Sequence, residues 1–147
     1  MTNSKTENFR IAVLGLDHDH VWTVAAEFQA SDGVDVIAAA DRDGQLRAKA
    51  ERDLGVLTYE NFTELLDRER LDAVCIYTDN RSSAELAIDA ALRGLHVLVE
   101  KPMAKNATDA ERMIDAAEQN GTRLMVNWPF AWWPNLQLAI RMVLEEN

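Results

Sequence analysis

The chain has 147 residues, of which 48% are hydrophobic and 27% charged, a composition that suits one globular domain with a single core. Aspartate and glutamate outnumber lysine and arginine by 25 to 15, and the formal net charge of −10 disfavours nucleic acid as a partner. The chain has no apolar run near the roughly 20 residues that cross a bilayer and no secretory leader, which predicts a cytoplasmic protein without a membrane partner.

Short apolar runs alternate with segments of helical periodicity along the whole chain. The predicted strands cover residues 11–14, 34–40, 56–59, 72–77, 95–99 and 122–126. The predicted helices cover residues 21–28, 43–54, 61–66 and 83–93, a segment after residue 108, and an amphipathic stretch over residues 136–144. This alternation predicts right-handed βαβ units, so the expected fold class is a doubly wound, Rossmann-like α/β domain with a mainly parallel sheet and helices on both faces. We expect residues 10–147 to form this domain and residues 1–9 to be a flexible tail.

The boundaries of the predicted helices carry capping signals. Asn61 is a predicted N-cap with Glu64 three positions later, and Thr108 with Glu111 is a predicted capping box. Three helices end on a glycine that a strand follows at once, which is typical of helix C-caps: Gly55, Gly94 and Gly121.

The residues that follow the first strand are candidate site residues, because ligands of open α/β sheets bind beyond the carboxyl ends of the strands. A G-x-G-x-x-G fingerprint for a dinucleotide would lie here. The segment reads Gly15, Leu16, Asp17, His18, Asp19 and His20. Only Gly15 matches the fingerprint, since Asp17 and His20 occupy the second and third glycine positions. Alone, this segment is a weak signal for a dinucleotide.

Asp41 ends the second predicted strand and is followed by Arg42. An acidic residue at this place can accept hydrogen bonds from the adenosine ribose, which favours NAD over NADP as the cofactor. Arg42 can stack on adenine or pair with a 2′-phosphate, so NADP stays an alternative. Asp41 can also be a simple turn residue that ends the strand.

Residues 17–20 also resemble a cluster of metal ligands, because two histidines alternate with two aspartates. Aspartates in a turn before a helix commonly cap the helix and face the positive end of its dipole. The third histidine, His96, opens a distant strand. The sequence therefore predicts no metal site, and a metal at His18 and His20 is the minor alternative.

Lys101 follows the strand at residues 95–99, between Glu100 and Pro102. A lysine at the ligand edge of a sheet, buried beside a nicotinamide, can assist the deprotonation of a substrate hydroxyl. Glu100 can orient Lys101 through the backbone or hold the loop, and Pro102 fixes the turn. The alternative is a surface lysine at the start of a loop.

An aromatic segment, residues 128–134, follows the last strand and contains two prolines. It can line a nicotinamide or sugar pocket, or it can cover the sheet edge or face another domain. The sequence does not separate these two interpretations.

Cys75 is the only cysteine and lies in the apolar run of residues 73–76. A disulfide framework is therefore excluded. The surroundings favour a buried structural thiol over a nucleophile.

The block at residues 94–104, Gly-Leu-His-Val-Leu-Val-Glu-Lys-Pro-Met-Ala, resembles a signature of the glucose–fructose oxidoreductase/inositol dehydrogenase (Gfo/Idh/MocA) family. Its G-K-H-V-x-x-E-K-P-x-A motif matches this block closely. Weaker matches fall in the same order: residues 38–41, Thr78 and Asn80 with two later alanines, and Asn127 with Pro134. The resemblance covers essentially the whole chain.

The resemblance implies an NAD(P)-binding domain of an oxidoreductase that moves a hydride between the cofactor and a sugar or polyol. It implies that catalytic Lys101 and its neighbour Glu100 lie near the nicotinamide ribose, and that Asp41 and Arg42 lie near the adenosine. The remaining implied cofactor residues are those of the pyrophosphate loop and those that flank the cofactor: Gly15, Leu16, Asp17, His18, Thr78 and Asn80.

The family places an acid/base Asp and His in a C-terminal domain that this sequence lacks. We therefore expect a domain that binds the cofactor without turning over substrate, and homo-oligomerisation is a further expectation. The alternative is a non-catalytic nucleotide-binding or structural module of the same fold.

Overall fold

The computed structural model describes residues 7–145, within which six strands and six α-helices alternate. The strands are β1 Phe9–Leu14, β2 Val34–Ala40, β3 Leu57–Tyr59, β4 Ala73–Ile76, β5 His96–Glu100 and β6 Leu124–Asn127. The helices are α1 His20–Gln29, α2 Gly44–Asp53, α3 Phe62–Arg68, α4 Ser83–Leu92, α5 Ala107–Gln119 and α6 Pro134–Glu145. A short 3₁₀ helix, Pro129–Trp132, precedes α6. Most of the predicted tail lies outside the described residues, and β1 begins at its last residue, Phe9.

The strands form one sheet in the order β3-β2-β1-β4-β5-β6, and all five pairings are parallel. The chain moves outward from β1 through β2 to β3, then returns to the other side of β1 and moves outward again from β4. The order reverses between β1 and β4, and the loops that leave these two strands diverge there. Such a switch point is where ligands bind in doubly wound sheets. The predicted fold class is confirmed.

Alternation along β1 feeds two cores, one on each face of the sheet. Ile11 and Val13 pack with α1 and α2, while Ala12 and Leu14 pack with α3, α4 and α5. Helices α1 to α5 contribute side chains to these cores, such as Ala87 of α4 and Met113 of α5. The sheet is therefore covered on both faces, as the continuous apolar strands predicted.

Helix boundaries follow local chemistry. The Asn61 side chain accepts hydrogen bonds from the N–H groups of Thr63 and Glu64, so the predicted cap is confirmed. The predicted capping box at Thr108 is wrong. The helix starts two residues earlier because the Asn106 side chain accepts from the N–H of Asp109. The three predicted C-cap glycines all have positive φ: Gly55, Gly94 and Gly121.

The last helix, α6, packs against the 3₁₀ helix and leaves much of its apolar surface exposed. Leu138 is 53% exposed and Leu144 74% exposed. Across residues 7–145, no helix combines the length and the apolarity that crossing a membrane requires.

Candidate functional site

A cleft of about 460 Å³ opens at the carboxyl ends of β1, β2 and β4. It is lined by residues from four successive loops or helix starts: Gly15, Asp17, Asp41, Arg42, Phe62, Thr78, Asp79, Arg81, Ser82, Glu85 and Leu86. The cleft coincides with the switch point of the sheet, where the topology alone places a ligand.

Gly15 lets the β1–α1 loop pass close to the end of β4. Its φ is +89°, and a Cβ atom there would lie 2.8 Å from the Thr78 backbone nitrogen and 2.8 Å from the Tyr77 carbonyl carbon. Its own N–H donates to the Ala40 carbonyl at 2.8 Å, which ties the loop to β2. A side chain is excluded by both backbone conformation and space, so the first glycine of the fingerprint is structurally required.

Asp41 joins two loops of the cleft. One carboxylate oxygen accepts from the N–H of Leu16 at 2.7 Å, and the other accepts from the N–H of Asp43 at 2.8 Å. Both bonds use backbone donors, and lone pairs remain on each oxygen for a further donor. Asp41 therefore shapes the loop after β1 as well as presenting a carboxylate to the cleft. The two roles predicted for Asp41, as a turn residue and as a ligand of the ribose, are therefore compatible.

Asp79 organises the start of α4. Its carboxylate accepts from the N–H of Arg81 at 2.9 Å, from the N–H of Ser82 at 3.2 Å and from the Ser82 hydroxyl at 3.0 Å. The backbone bond from Arg81, followed by the Ser82 hydroxyl bond, lowers the pKa of Asp79 below its ordinary value. The carboxylate thus stays ionised beside the positive end of the α4 dipole.

A second group of polar side chains surrounds Glu100 at the end of β5. The Glu100 side chain is 5% exposed. Its Oε2 accepts from the Asn127 amide at 2.7 Å, and its Oε1 lies 3.2 Å from His20 Nδ1 and 4.0 Å from His18 Nε2. Lys101 Nζ lies 3.7 Å from the same Oε1. A buried carboxylate needs such partners, because burying an unpaired charge is costly.

The Lys101 side chain is 45% exposed, as in the alternative of a surface lysine at the start of a loop, and its burial beside a nicotinamide stays a prediction. It extends from the end of β5 into solvent, with the Glu100 carboxylate as its counter-charge. The Lys101–Pro102 peptide bond is cis. Glu100 contacts Lys101 through its own carboxylate rather than only through the backbone.

The structure places most of the predicted site residues either in the cleft or around Glu100, and two of them, Leu16 and Asn80, in neither place. Those that line the cleft are Gly15, Asp17, Asp41, Arg42 and Thr78. Those gathered at the end of β5 are His18, Glu100 and Lys101. Leu16 is fully buried, and it contributes its backbone N–H to Asp41. Asn80 is exposed and lines neither place.

Sequence reasoning assigned no role to Asp79 or Arg81, and it did not identify His20 and Asn127 as partners of Glu100. His20 and Asn127 follow β1 and end β6, so their place at strand ends was a usable signal. Arg81 and Glu85 lie in the loop and first turn of α4, and only the folded cleft brings them beside Asp41.

The aromatic segment, residues 128–134, borders a second cleft of about 550 Å³. Pro129 and Trp133 line it together with His20, Asn127 and several residues of α1 and the sheet. The ring of Trp133 stacks edge-on against Phe130, with centroids 4.6 Å apart. Pro129 and Trp133 therefore line a pocket next to the Glu100 group. Trp128, Phe130 and Trp133 are each about half exposed, as side chains that face another domain would be, so both interpretations of the segment stay predictions.

Comparison with known proteins places these features in a family. A profile of the Gfo/Idh/MocA family, described as an oxidoreductase family with an NAD-binding Rossmann fold, matches residues 9–128. D-apiose dehydrogenase from Paraburkholderia graminis is 30% identical over 146 residues, which are 95% of this chain and 37% of that enzyme. D-xylose 1-dehydrogenase (NADP(+)) 2 from Haloferax volcanii is 36% identical over 136 residues, which are 91% of this chain and 41% of that enzyme.

The structural comparison gives the same picture. The WlbA dehydrogenase from Bordetella pertussis, solved in complex with NADH and UDP-GlcNAcA, matches with a TM-score of 0.85 and 26% identity. The match covers 95% of this chain and 42% of that chain. The chain thus spans about two fifths of the length of the relatives that it matches.

Proposed function

Because the chain belongs to the Gfo/Idh/MocA oxidoreductase family, we propose that it binds NAD and serves as the cofactor domain of a sugar or polyol dehydrogenase. The observation that carries the proposal is the cleft at the switch point, where Gly15, Asp41 and Thr78 meet. Its position at the carboxyl ends of parallel strands is the one that dinucleotides use in doubly wound folds.

The residues of the cleft fit the adenosine half of a dinucleotide. Gly15 keeps the loop close to β4, where a Cβ atom would have no room. Asp41 presents a carboxylate that can accept from ribose hydroxyls while it holds the loop through Leu16. Arg42 and Arg81 line the same cleft and supply positive charge against a phosphate or a planar surface for adenine.

NAD is favoured over NADP because the Asp41 carboxylate would repel a 2′-phosphate on the ribose. Arg42 next to it supports NADP as the second choice. The relative from Haloferax volcanii carries NADP(+) in its name, and the Bordetella pertussis dehydrogenase was solved with NADH. Both cofactors therefore belong in the test.

We infer a catalytic role for Lys101 at the nicotinamide end of the site. When bound, oxidised NAD supplies the acceptor for a hydride that leaves the substrate carbon. The proton of the hydroxyl group on that carbon must leave as well. The neutral amine of Lys101 can accept this proton and becomes an ammonium group. Glu100 lies 3.7 Å from Lys101 Nζ and keeps the lysine at the end of β5.

The substrate class is proposed from the relatives, two of which are named for D-apiose and D-xylose. This chain spans about two fifths of the length of these relatives. Turnover would need catalytic groups that the family carries in the remaining part. Homo-oligomerisation and a cytoplasmic location stay predictions.

The experiment is a titration of NADH and of NADPH, monitored by tryptophan fluorescence, which the chain's four tryptophans make possible. We expect saturable binding of NADH with an affinity higher than that of NADPH. ADP serves as a probe of the adenosine half alone. If neither dinucleotide binds saturably, the dinucleotide assignment is wrong.

The second candidate is a non-catalytic module of the same fold. Asp17 and His20 in the second and third glycine positions favour it, since a carboxylate beside a diphosphate is repulsive. Binding of ADP without any added affinity from the nicotinamide half would favour this module over the dehydrogenase domain.

A further inference from the structure

The geometry points to a site for a divalent transition-metal ion, of the class of Zn²⁺, formed by His18, His20 and Glu100. These side chains come from the β1–α1 loop, the first residue of α1 and the end of β5. One ligand atom of each lies within 4.8 Å of the other two. The proposal does not depend on the proposed dinucleotide binding.

The distances between the candidate ligand atoms are close to those between the ligand atoms of a tetrahedral zinc site. His20 Nδ1 lies 3.2 Å from Glu100 Oε1, and His18 Nε2 lies 4.0 Å from the same oxygen. Ligand atoms around a tetrahedral zinc ion, with bonds near 2.0 to 2.2 Å, are separated by about 3.3 to 3.5 Å. The two imidazole rings face each other edge to face with centroids 4.6 Å apart, so small side-chain rotations suffice.

The carboxylate is already oriented for a ligand. Asn127 donates to Glu100 Oε2 at 2.7 Å, which leaves Oε1 directed at the two imidazoles. Ligating carboxylates in metal proteins are commonly held by a hydrogen bond of this kind to their second oxygen. The Glu100 side chain is 5% exposed, and a buried carboxylate is strongly stabilised by a cation beside it.

Two contacts must change when an ion binds. Lys101 Nζ lies 3.7 Å from Oε1, and its half-exposed side chain can turn into solvent as the ion replaces its charge. His18 Nδ1 accepts from the N–H of His20 at 3.2 Å. Coordination through Nε2 moves the ring proton to Nδ1, so this bond is lost and the ring must rotate.

The ligand set selects the class of ion. Imidazole nitrogens with one carboxylate oxygen suit zinc and its neighbours, whereas magnesium and calcium prefer sites made of oxygen alone. Three protein ligands leave a fourth position open, as in zinc sites that bind water or a substrate oxygen. Both histidines are about one-third exposed, so the site is reachable from solvent. Exposed Asp17 and Asp19 add negative charge around it.

The test uses protein purified without a histidine tag, treated with a chelator and held free of nucleotide. Zn²⁺ is titrated by calorimetry, and Co²⁺ is added as a spectroscopic probe whose visible absorption reports tetrahedral coordination. We expect one equivalent of either ion to bind. His18→Ala and His20→Ala should each weaken binding by roughly a hundredfold or more, beyond the 10 to 100-fold typical of losing a supporting residue.

His96→Ala is the matched control, because it removes the only other histidine, whose Nδ1 accepts from the Arg123 N–H at the opposite end of β5. This variant should bind zinc as the parent does. Glu100→Gln should also lose the ion, and circular dichroism checks that it folds. If the protein folds but shows no saturable zinc or cobalt binding, or if His18→Ala and His20→Ala bind as tightly as His96→Ala, the site does not exist. A separate NADH titration of the same variants keeps this outcome distinct from that of the dinucleotide proposal.

Discussion

The carboxylate of Asp41 accepts a hydrogen bond at 2.7 Å from the backbone N–H of Leu16, a residue 25 positions earlier in the chain. This bond fixes the β1–α1 loop against the end of β2. The same carboxylate holds the N–H of Asp43 at the start of α2. One side chain therefore sets the shape of the loop and offers the cleft a negative charge.

We expect Asp41→Ala to weaken NADH binding at least several-fold and to lower the free energy of unfolding by about 1 to 3 kcal/mol, as for a lost charge-assisted hydrogen bond. Fluorescence titration and urea denaturation measure the two effects. Asp35→Ala is the control, since Asp35 is an exposed aspartate near the start of β2 that accepts a hydrogen bond from Asn8. An Asp41→Ala protein that binds NADH as tightly as the parent would remove Asp41 from the site.

Gly15→Ala tests the close approach between the first loop and β4. A Cβ atom would lie 2.8 Å from backbone atoms of Tyr77 and Thr78, and φ is +89°. Gly33 is the matched control, because its φ is +84° and nothing lies within 4 Å of its added Cβ. Gly33→Ala should lower the free energy of unfolding by about 1 to 2 kcal/mol, because of the backbone conformation alone.

Gly15→Ala should lower the free energy of unfolding by about 1 to 3 kcal/mol more than Gly33→Ala does, because the backbone must shift to relieve the overlap. It should also reduce NADH affinity, whereas Gly33→Ala should leave that affinity unchanged. Denaturation curves and nucleotide titrations of both variants provide the comparison. Equal losses of stability in the two variants would mean that space at Gly15 does not matter.

Features set by short-range patterns could be predicted from the sequence. Strands of the sheet are mainly apolar runs, so β2, in which only Asp35 is polar, was predicted with its observed bounds, Val34–Ala40. The Asn61 cap depends on donors two and three residues away. Thr108 is not the cap because Asn106, two residues earlier, also has a suitable side chain and caps the helix through the Asp109 N–H, which places Thr108 inside the first turn.

Contacts between loops could not be predicted in the same way. His20 and Glu100 are 80 positions apart, and their approach depends on the parallel register of β1, β4 and β5. The exposure of Lys101 depends on the direction of the chain after β5, which the apolar pattern does not encode. Polar residues at strand ends predicted the edge of the sheet at which the cleft lies, but not which side chains are in contact.

Asp79→Ala tests the carboxylate that accepts hydrogen bonds from Arg81 and Ser82, the residues just before α4. The pKa of Asp79 lies below its ordinary value of 3.8, so its contribution to stability is present above that value and is lost as the pH falls through the lower, folded-state pKa. At neutral pH the variant should be less stable by about 1 kcal/mol, as for the loss of a helix cap. The difference should shrink as the pH falls below 3.8 and the carboxylate becomes protonated in the folded protein as well. Urea denaturation across this range measures it, and Asp115→Ala, at an exposed position of α5, should show no such trend.

Lys101→Ala separates catalysis from cofactor binding in any longer form of the protein that turns over a sugar. Loss of the proton carrier should lower kcat by about 100-fold or more, within the range of general acid–base catalysis, and change NADH affinity little. Lys105→Ala is the control, because Lys105 pairs with Asp109 four residues later and lies away from the cleft. Steady-state kinetics and nucleotide titration give the two quantities. Equal losses in both would recast Lys101 as a cofactor anchor.

Cys75 on β4 is 3% exposed, and its burial raises the pKa of the thiol from 9.0 to about 12. Because the thiolate is the reactive form, we expect the native protein to resist a thiol reagent such as Ellman's reagent at mildly alkaline pH. The raised pKa also means that Cys75 contributes stability that is complete below pH 9.0 and declines as the pH rises toward 12, since the unfolded thiol ionises first.

Labelling of Cys75 should begin only as denaturant unfolds the chain, and its midpoint should follow that of circular dichroism. Ser31→Cys, at an exposed position after α1, should gain one thiol that reacts at once. Rapid labelling of Cys75 in the folded parent protein would contradict its place in the core between β1 and β5.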